Sequence, residues 1–435
     1  MALWMRLRKL LRDTSGNALA IGAAAMPLVI GGTGLAIDTL QITLAKRELQ
    51  RAADSAAIAG AYAINQNQSS TGTTRSGFAS SAVTRDLQVN NDITLSAAPV
   101  VQNAPTSGSY AGDNNAVRVQ LSANRSLSFL SFFNIAPARL NVEATAAIVR
   151  EGNFCMLSLE DGNTPGVKVG GNATIDLGCG ISSNSRAASA VQAEGSSSVR
   201  ATPIMAVGGL VSTSNFNNAT MIPYAAVQAD PFASLPNPAP TGCIDPPTIG
   251  PQDVVAVGPG FPGWNSAEGS ICFNGLDVKG TLNFPFGGIV YINGGQLSFG
   301  AQAQVSGTNL VFVLTSVNAT SNPASIATVD MNGGADLDIT APSTGPFARV
   351  AIYEDRRAPI GRSIRYNGNS GSTINGAMYF PNAYFEYNGN AQTAATCLQL
   401  VARRLDFRGN GTIRNNCTTA GPTPNFEATY VRLVG

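Results

Sequence analysis

Three regimes of apolar and polar positions follow one another along the chain. From Ala18 to Ile37, ALAIGAAAMPLVIGGTGLAI, no residue is charged. At 1.5 Å per residue a helix of this length crosses the ~30 Å hydrocarbon core of a bilayer. Arg6, Arg8, Lys9 and Arg12 precede it, in a basic tail over 1–17. By the positive-inside rule that tail stays cytoplasmic and the rest crosses. A cleaved signal peptide usually has a shorter apolar region of ~7–15 residues, so an uncleaved transmembrane helix over 18–37 is expected. Helical character continues through Asp38–Ala63, which has no Gly or Pro before Gly60 and is rich in Ala, Leu, Gln and Arg. One rod from about residue 16 to 65 follows, ~75 Å long. Pro27 is expected to kink the span without breaking it. Ala52, Ala56 and Gly60 lie four apart, a spacing that lets another backbone approach closely. They pack either on a partner helix or on the protein's own sheet.

The second regime begins with a polar connector at 66–77. Alternation of period two then predicts strands over 92–101, 116–121 and 139–149. In AVRVQL, Val117, Val119 and Leu121 share one face, and Arg118 and Gln120 the other. A long helix with a small antiparallel sheet makes 38–150 a pilin-like α+β module. LSFLSFFNI at 127–135 is an apolar patch between strands. It is either a loop tucked into the core or a surface that meets the membrane or a partner.

The third regime, 151–435, is all-β and repetitive. Leu276–Leu282 aligns with Leu297–Ala303, and Ile289 falls on Leu310, at an offset of 21. IRYNGN at 364–369 aligns with FEYNGN at 385–390, FRGN at 407–410 follows 20 after Tyr387, and AMYF at 377–380 falls on LQLV at 398–401. VKVGGNATI at 167–175 matches VQAEGSSSV at 191–199 at an offset of 24. Such a period predicts a right-handed parallel β-helix whose turns share one core. Asn and Gly recur at one corner, where positive φ is needed and stacked Asn side chains can bond along the axis. Seven prolines in 230–252 predict a stiff strap across the surface.

Composition removes several chemistries. Among 435 residues there is no histidine, the commonest general base and metal ligand. Net charge is +1 and no basic stripe is present, so no nucleic-acid partner is expected. No nucleotide-binding or metal-binding spacing occurs, and no cofactor is expected. Asp336 and Asp338 would share a strand face, as a glycan-cleaving site requires. These acids, with Asp330, Glu354 and Asp355, are few and scattered, and read as solvated faces and turn charges in preference to acid/base pairs. The six cysteines, 155, 179, 243, 272, 397 and 417, all lie beyond residue 150. An even number on the outer side of a membrane suggests disulfides. Six allow fifteen pairings. Nearest neighbours (Cys155–Cys179, Cys243–Cys272, Cys397–Cys417) are expected, because two of these separations match one turn of the repeat.

GNALAI at 16–21, the apolar span, GLAID at 34–38 and LQRAADSAAIAGA at 49–61 resemble the amino-terminal module of TadG-like (TadE/TadG) proteins. These are membrane proteins associated with Flp or tight-adherence pilus assembly. True prepilins of that system carry Glu at the fifth mature position, whereas Ile21 stands there after Gly16. The resemblance covers about the first 65 residues, and the NGN corners look like the β-helical carboxy-terminal region many members carry. It implies a single-pass inner-membrane protein of bacteria with a periplasmic bulk. It also implies a non-catalytic structural role beside pilus-assembly proteins. An envelope or glycan-binding β-helix is the alternative, and a carbohydrate-active enzyme a further one.

Overall fold

The computed structural model describes residues 17–67, 70–367, 372–389, 392–395, 397–415 and 426–435. The expected basic tail falls almost wholly outside them. The chain divides into two compact units, Met1–Val149 with Val431–Gly435, and Arg150–Tyr430.

In the first unit a single helix, α1 (Asn17–Gln66), runs 50 residues with Pro27 inside it. Its first half is apolar and exposed. Leu28, Val29, Leu35 and Leu40 have no cover from the protein, and the helix is long and apolar enough to cross a membrane. Its second half is buried on one side through Leu49, Ala53, Ala57 and Ile64. The facing layer is an antiparallel sheet of β1 (Val100–Asn103), β2 (Ala116–Arg125) and the start of β3 (Ala138–Ser158). β2 pairs with both neighbours, Val119 lying opposite Val101 and Ala144. Val117, Val119 and Leu121 turn into the core, as their alternation predicts. The chain end returns to this sheet: the Val434 N–H donates to the Thr145 carbonyl at 2.8 Å, and the Thr145 N–H to that of Gly435.

One element of this unit is a correction. The polar connector predicted at 66–77 runs from its second half into a second helix, α2 (Gly72–Asn90). Arg75, Ala79, Val83 and Leu87 are its buried residues, four apart on one face. Thr, Ser and Gly77 lower its helix propensity, and packing against α1 supplies what propensity does not. The strand expected over 92–101 shrinks to β1, with Leu95 contributing one isolated bridge to Ala123.

Among the described residues of the second unit, the registered strand pairs are parallel. The repeats feed three ladders. Ser270–Phe273, Gly288–Asn293 and Leu310–Thr315 stack in the first. Leu276–Val278, Gln296–Phe299 and Thr328–Met331 stack in the second. Val254–Ala256, Thr281–Phe284, Gln304–Thr308 and Asp336–Thr340 stack in the third. Phe273, Phe284, Phe299 and Phe312 from all three meet in one core. Phe284 and Phe299 each set a ring edge-on to Phe312, at 5.7 and 5.8 Å. No repeat could bury these rings alone.

The second ladder keeps the predicted offset, with Leu276 on Leu297 and Ile364 on Phe385. The 24-residue offset holds too, with Val167 on Val191 and Ile175 on Val199. In the first ladder the register differs from expectation by one residue: Ile289 lies on Val311 and Met378 on Leu400. Corner length explains the former shift. Lys279-Gly280 joins two strands where Gly300–Ala303 joins the next pair, and the following corner gives one residue back.

The predicted corner chemistry is present. Gly171, Gly195 and Gly409 all have positive φ. They stack so closely that a Cβ on Gly195 would meet the Gly171 carbonyl at 3.0 Å, and one on Gly171 that of Gly409 at 3.0 Å. Asn172 donates to the Asn410 side chain at 3.0 Å along the stack. The predicted corners at 368–369 and 390 lie outside the described residues.

Stacking does not follow chain order. Strands at 154–158, 180–183, 204–206 and 221–222 succeed one another toward one end. The chain then travels, through the proline-rich segment, to the opposite end. From 270 it stacks back through 288, 310, 350 and 377 to Leu398–Gly409. That last long strand docks on the first, Leu400 on Met156 and Leu405 on Val167. The beginning and end of the unit therefore meet as neighbouring rungs. Arg404 and Arg403 hold this seam through buried Glu160, at 2.6 and 3.3 Å, and Ser158 donates to the Arg403 carbonyl at 2.7 Å.

Candidate functional site: an aromatic loop held on the apolar helix

Asp38 is the acid at the exit of the apolar run, and it is buried. A buried carboxylate needs donors, and these come from the 127–135 loop. The Phe129 N–H donates to Oδ1 at 3.0 Å and the Leu130 N–H to Oδ2 at 2.8 Å. Those two amides open the 3-10 turn Leu130–Phe133, so the side chain of one helix fixes the backbone of a distant loop. One turn earlier, Gly34 faces the Phe129 ring so closely that any Cβ there would collide with it. One turn later, Gln41 donates to Ser128 Oγ at 3.0 Å. Gly34, Asp38 and Gln41 fall on one helix face by their spacing.

What the loop presents outward is apolar. Leu127 is buried, but Phe132 is 87% exposed, Phe133 58% and Ile135 51%. Phe129, Phe132 and Phe133 stack edge to face, with centroids 5.3 and 5.6 Å apart. Of the two readings left open by the sequence, exposure favours a surface for Phe132, Phe133 and Ile135. Arg125 and Arg139, both exposed, stand at the base, where Asn124 pairs with Arg139 across the two strands. Beside them a groove of about 560 Å³ is lined by Gln41, Leu44, Glu48, Asp92 and Arg125.

The other sequence-derived residues fall elsewhere. Ala52, Ala56 and Gly60 are buried against α2 and β2: a Cβ on Gly60 would lie 2.9 Å from Val117 and 3.1 Å from Val83. Their small size admits the protein's own elements. Cys155 is bonded to Cys179 and Cys243 to Cys272, with Cα separations of 5.8 and 4.4 Å. Cys397 is also disulfide-bonded, while Cys417 lies outside the described residues. Asp336 and Asp338 point outward, with Leu337 and Ile339 buried between them. Their rung neighbours are Gln304 and Ser306 rather than further acids. Among the described residues no three acid or thiol groups cluster as a metal site would require.

Glu354 and Asp355 correct the expectation of solvated charges, since both are fully buried. The proline-rich strap engages the two arginines that follow them. Arg356 donates to the carbonyls of Ala233 and Leu235, and Arg357 to that of Pro238 at 2.8 Å. Tyr379 donates to Asp230 at 2.6 Å. Arg357 also grips Asp355 through two hydrogen bonds, and Thr315 donates to the same carboxylate at 2.7 Å. Glu354 faces Arg362, 4.0 Å away, and the Asn382 backbone. Burial pushes its carboxyl up to about 7, and the Arg362 charge offsets part of that rise. Burial likewise pushes the Tyr353 hydroxyl up to about 12. The run VAIYEDRR gave one signal of this: an apolar strand leading directly into charge, with carbonyl-rich prolines elsewhere to receive the arginines.

Residues 16–63 match the family model described as putative Flp pilus-assembly TadE/G-like. This stretch holds the whole apolar half of α1, Gly34, Asp38 and the small-residue face. No curated protein and no solved structure matches the chain.

Proposed function

We infer that the chain is a membrane-anchored, non-catalytic structural component that assists assembly or anchoring of a Flp or tight-adherence pilus. The observation that carries this reading is coincidence. The family match over 16–63 falls on a helix whose first half is apolar and uncovered, and whose second half seats a small pilin-like unit. α1 spans the inner membrane once, with its amino end in the cytoplasm and the bulk in the periplasm. The basic residues before the span support that orientation, and the disulfides support an oxidising compartment. The second unit closes into a right-handed parallel β-helix, a rigid scaffold held by its strap.

Deleting the chain from its native cell tests the role. Loss of surface pili by electron microscopy, with pilin still synthesised, is expected. Normal piliation would overturn it. Protease added to spheroplasts should digest the second unit and spare the amino terminus. The reverse pattern would overturn the orientation.

A further inference from the structure

We propose that the 127–135 loop is a second membrane contact, an aromatic foot set into the headgroup layer of the leaflet from which α1 emerges. The inference rests on reading α1 as the span.

Level is the first argument. Phe129 lies on Gly34, and Asp38 holds the Phe129 and Leu130 amides. These helix positions are the last turns of the uncharged run. A loop fixed there sits where hydrocarbon gives way to headgroups. Chemistry is the second. Phe132, Phe133 and Ile135 turn outward without cover, on the same turns where Leu35 and Ile37 are exposed on the helix. The exposed apolar positions of α1 and the loop's apolar tip thus stand at one level of the helix, and together they expose more apolar side chains than a water-facing surface ordinarily carries. Charge is the third. Arg125 and Arg139 stand exposed at the foot of the patch, the arrangement of an interfacial anchor: apolar groups in the acyl boundary and basic groups at anionic phosphates. Order is the fourth. The loop is already fixed by Asp38 and Gln41, so little conformational freedom is lost on insertion. The ligand is therefore a bilayer surface with anionic headgroups. A single helix leaves a protein free to spin and tilt about it, and a foot beside the helix fixes both.

The test uses the full chain in vesicles of phosphatidylethanolamine and phosphatidylglycerol. Trp4 and Trp264 are replaced by Phe, and one tryptophan is introduced at a time: Phe132→Trp, Val29→Trp or Phe286→Trp. Phe132, Val29 and Phe286 are all exposed, so none of these changes disturbs packing. Lipids brominated near the headgroup should quench Phe132→Trp most strongly, and lipids brominated near the chain ends should quench Val29→Trp. Phe286→Trp should respond to neither. Quenching at Val29→Trp without quenching at Phe132→Trp would overturn the foot and leave the anchor standing, whether water or a protein covers the loop. Quenching at neither would overturn both. Arg125→Ala with Arg139→Ala should weaken the Phe132→Trp signal in anionic vesicles only. An equal signal in purely zwitterionic vesicles would remove the headgroup contact.

Discussion

Asp38 accepts the Phe129 N–H at 3.0 Å across 91 residues of chain, joining the exit of an apolar helix to the loop between two strands. Replacing Asp38 by Ala leaves two amides without acceptors. Each loss costs about 1–3 kcal/mol where water is excluded. Hydrogen exchange at Phe129 and Leu130 should accelerate at least about tenfold, while β2 amides keep their protection. Unchanged exchange at the two amides would show that the carboxylate does not hold the loop.

Gly34 predicts a steric counterpart. Gly34→Leu places a side chain where the Phe129 ring lies. The ring must leave, so the loop should detach while α1 stays helical. Circular dichroism should report full helix, and Phe132 should become more readily cleaved by chymotrypsin. A protected loop in this variant would contradict the close contact.

The strap depends on Arg357. Removing its guanidinium by Arg357→Ala leaves Asp355 buried without its ion-pair partner, held only by the Thr315 hydroxyl and the backbone N–H of residue 357. Breaking a buried pair in this way costs about 3–5 kcal/mol. The unfolding midpoint of the second unit should fall accordingly, and proteolysis should begin within 230–252. A loss below about 1 kcal/mol, the scale of a surface pair, would mean that the strap is held elsewhere.

Glu354 gives the protein a pH dependence of known sign. Its folded carboxyl titrates near 7, above the ordinary value of 4.5. The folded state therefore keeps a proton that the unfolded state loses. Its contribution is full below pH 4.5 and is lost as pH rises through about 7. The charged form, which faces Arg362 at 4.0 Å and the negative charge of Asp355, costs on the order of 3 kcal/mol. Glu354→Gln should flatten the stability profile between pH 5 and 8 and raise the midpoint at pH 8. An unaltered slope would assign the dependence to another group.

The bond between Cys243 and Cys272 fixes the far end of the strap, beside the parallel bridge of Ile244 to Phe273. The closed loop spans a separation of 29 residues, so Cys243→Ser with Cys272→Ser should cost about 2–4 kcal/mol. Peptide mapping without reduction should recover this pair and the Cys155–Cys179 pair. Any other partner for Cys243 would contradict the fold.

Much of this architecture could be read from residues. The long helix follows from an uncharged run continued by Ala and Leu. The ladders follow from Leu276 matching Leu297 and from glycines at the corners that positive φ requires. α2 escaped because its buried stripe is made of Arg75, Ala79 and Val83 among poor helix formers, and tertiary contact decided the outcome. The loop on Gly34 and Asp38 was half legible. A lone acid closing an apolar run asks for donors, but nothing local says that Phe129 and Leu130 supply them. The burial of Asp355 was hidden because its partner Arg357 is tied to a strap more than a hundred residues away, and nothing local announces the burial of Glu354. The order of the rungs was hidden for a similar reason, since periodicity reports which strands are alike and not which are adjacent.

That order has a consequence for biogenesis. The strand at 154–158 is made early, yet its partner at 400–402 is made much later. Until the final rung arrives, the early repeats expose a row of unpaired N–H and C=O groups, a template for the wrong strand. Pairing across about 245 residues is slow to form. A growing chain thus keeps an open edge until Leu398–Gly409 has been made, and a product ending before Leu398 would never close it. At the seam of Glu160 and Arg404, only a chain made through Gly409 can hide both of the edges that meet there from proteases and from one another's copies.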